Sequence, residues 1–219
     1  MDECNLRRYK MKRAFAVFMI LSAASALFAK EVTVAIDAGK NWKAKMNPQC
    51  AVWLEDADGN YVRTLYITQR SSKRNWIFGP KEGRPESLPV WYHAANYGSV
   101  KNAPNSTEVD AVTSATPKGG IVFTAQIGDT EYVIKAEFNT SFDYNDFYTK
   151  KNSGVNGQPS VIYEAKIPAD GDSDGPDKEI MLSLAGTGSE NGADGKIYGD
   201  VSKLTTAKNI VEKISVTKK

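Results

Sequence analysis

Three hydroxyl side chains and one carboxylate stand within seven residues at Asp110-Ala111-Val112-Thr113-Ser114-Ala115-Thr116. A carboxylate close to a hydroxyl can orient it or take its proton, which is what an acceptor oxygen needs. Ala111, Ser114 and Ala115 have little bulk, so another molecule can come near the backbone. Pro117 disfavours the helical region for Thr116 and pushes it to an extended conformation. Gly119 and Gly120 admit positive φ and mark a turn. The expectation is a surface loop that holds the Thr116 hydroxyl outward. The plainer alternative is a loop in which Asp110 and the threonines cap a turn through side-chain to backbone bonds.

The pattern Asp-x-x-Thr-small-Ala-Thr resembles the attachment motif of extracytoplasmic flavoproteins. In that family a membrane-side flavin transferase joins FMN to the last threonine through a phosphoester. The resemblance implies Thr116 as the acceptor, with Asp110, Thr113 and Ala115 as recognition residues. The usual glycine before the alanine is Ser114 here, which adds a side chain where the transferase approaches.

Other residue types that could do chemistry are sparse. Asp170, Asp172 and Asp174 alternate before Gly175, as in the first half of a calcium loop. The twelfth position is Met181 and not an acid, so a helix–loop–helix site is not expected. A calcium clip and a solvated turn remain the two readings. His93 is the only histidine, and a zinc site or a hydrolytic triad would rest on it alone. Cys50 sits in an apolar run and reads as a buried, inert thiol. The basic stretch at Arg70, Lys73, Arg74, Lys81 and Arg84 is either a solvated loop or a surface for an anionic partner.

The compartment is written at the N-terminus. Lys12-Arg13 precede the apolar run from Ala14 to Leu21 and the small residues from Ser22 to Ala29. That is the layout of a cleaved secretory signal over residues 1–29. The apolar run is shorter than the ~20 residues a spanning helix needs, so the mature chain is not expected to cross a membrane. Five of the 28 basic and two of the 26 acidic residues fall in this segment, which leaves 23 against 24. The apparent basicity belongs to the leader, and a nucleic-acid partner loses its electrostatic support. Cys4 also falls there, so Cys50 has no disulfide partner in the mature chain.

Residues 30–219 read as one domain. Runs at 31–37, 50–56, 61–68, 121–127, 132–138, 160–167, 179–185 and 210–216 suit strands, and Asp58-Gly59-Asn60 suits a hairpin turn. A short helix is expected over 87–96, with Ser87 as its N-cap and Trp91 sealing one end of the core. A further helical turn is expected at 204–207, and Gly186 to Gly199 reads as a long loop. About eight strands with no long amphipathic helix indicate an all-β sandwich.

Ala51-Val52-Trp53-Leu54-Glu55-Asp56, then Gly59, Val62-Arg63-Thr64-Leu65-Tyr66 and Leu88-Pro89-Val90-Trp91, resemble a family of predicted bacterial periplasmic proteins of unknown function. Residues 110–116, 192–196 and 204–207 fit the same family. The resemblance implies an immunoglobulin-like sandwich, similar to part of the flagellar hook assembly scaffold. It also implies flavin transferases and membrane redox proteins as partners. The functional expectation is an exported, non-enzymatic FMN carrier. The alternative is a cofactor-free binding or scaffold module of the cell envelope. With no acid–base pair standing out, an enzyme ranks below both.

Overall fold

The computed structural model describes residues 29–42, 47–68, 71, 84–96, 112–114, 119–169 and 178–218. Among the described residues ten strands form two facing sheets. They are β1 (Ala29–Ala38), β2 (Gln49–Glu55), β3 (Tyr61–Thr68), β4 (Val112–Ser114), β5 (Gly120–Gly128), β6 (Tyr132–Asn139), β7 (Val161–Ile167), β8 (Glu179–Met181), β9 (Ser183–Thr187) and β10 (Val211–Lys218). One sheet has the order β5-β1-β10-β8 and the other β4-β3-β2-β6-β7-β9. All pairings are antiparallel except β3 with β4. Among the described residues there are also two short helices, α1 (Pro89–Ala94) and α2 (Lys150–Ser153), and a 3-10 turn (Thr206–Asn209).

The period-two pattern of the sequence decides which face goes where. Val32, Val34 and Ile36 of β1 alternate with more exposed residues and meet Cys50, Val52 and Leu54 of β2 across the sandwich. Tyr66 of β3 stacks on Phe123 of β5 at 5.3 Å between ring centroids, so the two sheets interlock through aromatic rings. β2 differs from β1 because it is buried on both faces along its whole length. Its second face, Ala51 and Trp53, packs with Ile67, Ile162 and the α1 residues Val90 and Trp91. Trp91 therefore covers the outer face of the six-stranded sheet and does not seal an end of the central core. Its indole N–H donates to Thr64 Oγ1 at 2.8 Å.

Several boundaries differ from expectation for identifiable reasons. The run 179–185 is two strands, because Leu182 turns into the core and its N–H bonds Ile214 O at 3.0 Å. The chain changes sheet there: β8 pairs with β10 and β9 with β7. Ser87 does not cap α1, which has Leu88 at its N-cap position. Its hydroxyl bonds Asn156 Oδ1 instead. The glycine-rich stretch is partly tied down, since Thr187 and Tyr198 exchange backbone bonds at 2.8 and 2.9 Å. The 3-10 turn begins two residues later than the expected helical turn.

β1 runs from one pole of the sandwich to the other. Ala29 is in register with Gly128 beside the β5–β6 hairpin, and Asp37 with Gly120. Ten residues at about 3.3 Å each set those poles about 30 Å apart.

Candidate functional site

Of the seven residues singled out for chemistry, Val112, Thr113 and Ser114 form β4. Asp110, Ala111, Ala115 and Thr116 lie outside the described residues, as do Asp170, Asp172 and Asp174. The expected loop is thus partly a strand. β4 lies parallel to β3 at the sheet edge, with Val112, Thr113 and Ser114 in register with Tyr66, Ile67 and Thr68. Three residues are too few to show a clear alternation in sequence, which is why the strand was not legible.

The chain leaves β4 at Ser114 in the six-stranded sheet and re-enters at Gly120 in the four-stranded sheet. Residues 115–119 are therefore the connection between sheets at one pole. Gly120 fixes the far end of that connection. It has φ +116°, and a Cβ there would lie 2.5 Å from Ile36 O. Only glycine accepts both the angle and the close approach.

The same pole carries the start of β2 and the ends of β3 and β6. Cys50 N donates to Thr68 Oγ1 at 3.0 Å, and Thr68 Oγ1 and Ser71 Oγ lie 2.9 Å apart. A small cleft opens there, with Gln49, Ser71, Arg84 and Trp91 in its lining. Gln49 is buried, and its Oε1 lacks a partner among the described residues. Arg84, one of the basic residues weighed as a binding surface, bonds Glu86 Oε1 at 3.0 Å and also Asn156. The other four of that set lie outside the described residues.

Next to this cleft, on the outer face of the six-stranded sheet, sits a group the alternation pattern hides. Glu137 occupies a strand position that reads as solvent-facing, yet it is fully buried because α1 covers that face. Its carboxylate accepts from Val90 N at 3.2 Å, Trp91 N at 2.8 Å and Ser160 Oγ at 2.6 Å. Burial pushes its pKa up to about 7, although these three donors pull the other way. The side chain satisfies the first amides of α1 in place of a serine cap. Sealed in this way, Glu137 is placed to hold the helix and not to reach a substrate.

A second buried carboxylate ties the loops of the pole together. Asp143 accepts from Asn41 Nδ2 at 3.0 Å, Gln158 Nε2 at 2.9 Å and Thr206 Oγ1 at 2.8 Å. Cys50 is fully buried, and desolvation, helped by the nearby Glu137 charge, raises its thiol pKa well above the usual value. The thiol is buried, as its apolar run implies, and such burial disfavours the reactive thiolate. His93 has a ring nitrogen 2.9 Å from Gly192 O, which pins the glycine-rich segment to α1. Among the described residues no three His, Cys, Asp or Glu side chains gather as metal ligands, and no helix is long and apolar enough to cross a membrane.

Residues 29–137 match the model of a family described as "Predicted periplasmic protein (DUF2271)", a family of unknown function. The match runs from β1 nearly to the end of β6, and it supports both the resemblance to predicted periplasmic proteins and a periplasmic, extracytoplasmic location. No curated protein and no solved structure matches the chain.

Proposed function

We propose that this periplasmic sandwich is a non-enzymatic carrier of FMN, esterified to Thr116, in extracytoplasmic electron transfer. The observation that carries the reading is where the motif falls. β4 ends at Ser114 and β5 begins at Gly120 on the opposite sheet, so Thr116 belongs to a short inter-sheet connection at one pole. Thr116 stands two residues after Ser114 and four before Gly120 in sequence, so a group attached there would stay near the ends of both strands. Asp110, Thr113 and Ala115 are the residues a flavin transferase would read, with Ser114 standing where the motif usually has glycine. FMN would supply the redox chemistry, and the chain would supply position and exposure. A membrane redox protein is the partner this reading calls for.

The test is the intact mass of the chain recovered from its own periplasm, or made alongside a flavin transferase. The expected result is an FMN increment and visible flavin absorbance, both lost in Thr116→Ala. An unmodified mass in the cognate host would end the reading.

A cofactor-free binding or scaffold module is the second reading. It is favoured by the edge position of β9, where no further strand lies beside residues 183–185 among the described residues, so that an added strand could pair there. It predicts a colourless protein whose partner capture survives Thr116→Ala.

A further inference from the structure

We propose that the cleft at the lead-in to α1 is a binding site for one small neutral hydrogen-bond donor, a water molecule held as part of the fold. Gln49 lines the cleft, is only 3% exposed, and its Oε1 meets no donor among the described residues. Asn139, its partner in register on β6, is 1% exposed, and its Oδ1 is likewise unmatched. Both side chains share the outer face of the six-stranded sheet, because Cys50 and Phe138 beside them belong to the central core. Cross-strand neighbours carry Cβ atoms about 5 Å apart, so one small group can reach both oxygens. The amide nitrogens are already engaged: Asn139 Nδ2 donates to Gln158 O at 3.0 Å and Gln49 Nε2 to Ser141 Oγ at 3.3 Å.

The donors that line the cleft, among the described residues, are committed elsewhere. The Trp91 indole bonds Thr64, the Ser87 hydroxyl bonds Asn156, and the Arg84 guanidinium bonds Glu86 and Asn156. Ser71 Oγ is paired with Thr68 Oγ1. A buried carbonyl without a donor is costly, and two stand side by side here, so the missing hydrogens are best supplied from outside the chain. The space is about 10 Å³, room for a single water and not for an organic ligand. The Arg84 charge in the lining opposes a metal ion or an ammonium ion. A water can give one hydrogen to each amide oxygen. It would join the start of β2 to the end of β6 beneath the residues that lead into α1, whether or not Thr116 carries a flavin.

Crystallography of the parent protein, paired with urea unfolding of two variants, tests it. One ordered water is expected within about 3 Å of both Gln49 Oε1 and Asn139 Oδ1. Crystals soaked in rubidium chloride should show no anomalous signal at that position. Gln49→Met removes the acceptor at nearly constant volume, and Ser141→Ala removes the same Nε2 bond from its other side. If water bridges the two amides, Gln49→Met also strands Asn139 Oδ1, and its unfolding constant should exceed that of Ser141→Ala about tenfold. Were Gln49 Oε1 simply unpaired, deleting it would relieve a desolvation cost, and Gln49→Met would be at least as stable as Ser141→Ala. No water at the two oxygens, a rubidium signal there, or a Gln49→Met variant no weaker than Ser141→Ala overturns the proposal.

Discussion

Glu137 Oε2 accepts the backbone N–H of Trp91 at 2.8 Å, so a carboxylate on one strand holds the first turn of the helix that covers it. The arrangement links the titration of one side chain to the seating of α1 on the six-stranded sheet.

Stability should therefore fall as pH rises. The folded pKa of Glu137 is about 7, raised from 4.5, mainly by burial. The folded state keeps a proton that the unfolded chain releases, so the contribution is complete below about 4.5 and is lost as pH rises through about 7. Urea unfolding at pH 5 and pH 8 is expected to differ by about 2.5 kcal/mol. Glu137→Gln should flatten that difference; a flat profile in the parent would contradict the burial argument.

Gly120→Ala should cost more than Gly59→Ala. Both residues have positive φ, but a Cβ at Gly59 meets nothing within 4 Å, whereas at Gly120 it meets Ile36 O at 2.5 Å. The Gly59 change should cost about 1 kcal/mol, and the Gly120 change at least about 2 kcal/mol beyond that. Chemical denaturation of the two variants decides, and equal costs would show that close packing is not why glycine stands at 120.

Asp143→Ala should loosen the pole that carries the inter-sheet connection. It leaves Asn41, Gln158 and Thr206 without their shared acceptor. A loss of about 3 kcal/mol is expected, with faster amide exchange at 140–158. Exchange rates that stay at the parental level would mean that the carboxylate is not the tie.

The Cys50 thiol should resist modification in the native state. Its burial is complete and its pKa is raised, so little thiolate forms. Labelling by a disulfide reagent at pH 8, mapped by peptide mass, should proceed only at the rate of unfolding. Rapid native labelling would show that β2 opens.

Alternation made β1, β3, β5 and β6 readable, because one face of each meets a core and the other meets water or a cover. The β2–β3 hairpin was readable from Asp58-Gly59-Asn60, and the structure adds that Asp56 Oδ1 collects the Asp58 and Asn60 amides. What failed to show was anything set by a third layer. Period-two alternation puts Glu137 on the face of β6 turned away from the central core, and nothing local says that α1 will lie over it. Leu182 split a strand because the pull on it comes from Ile214, far along the chain. Of the candidate attachment residues, only Thr113 and Ser114 fall within described structure, on a strand too short to announce itself.

The direction of β1 sets which end of the molecule stands beside the N-terminal segment. β1 begins at the hairpin pole, about 30 Å from the pole where the chain passes between sheets. Were residues 1–29 a leader still held at the membrane, the far pole would face away from the bilayer, and cleavage would be what lets the molecule turn over.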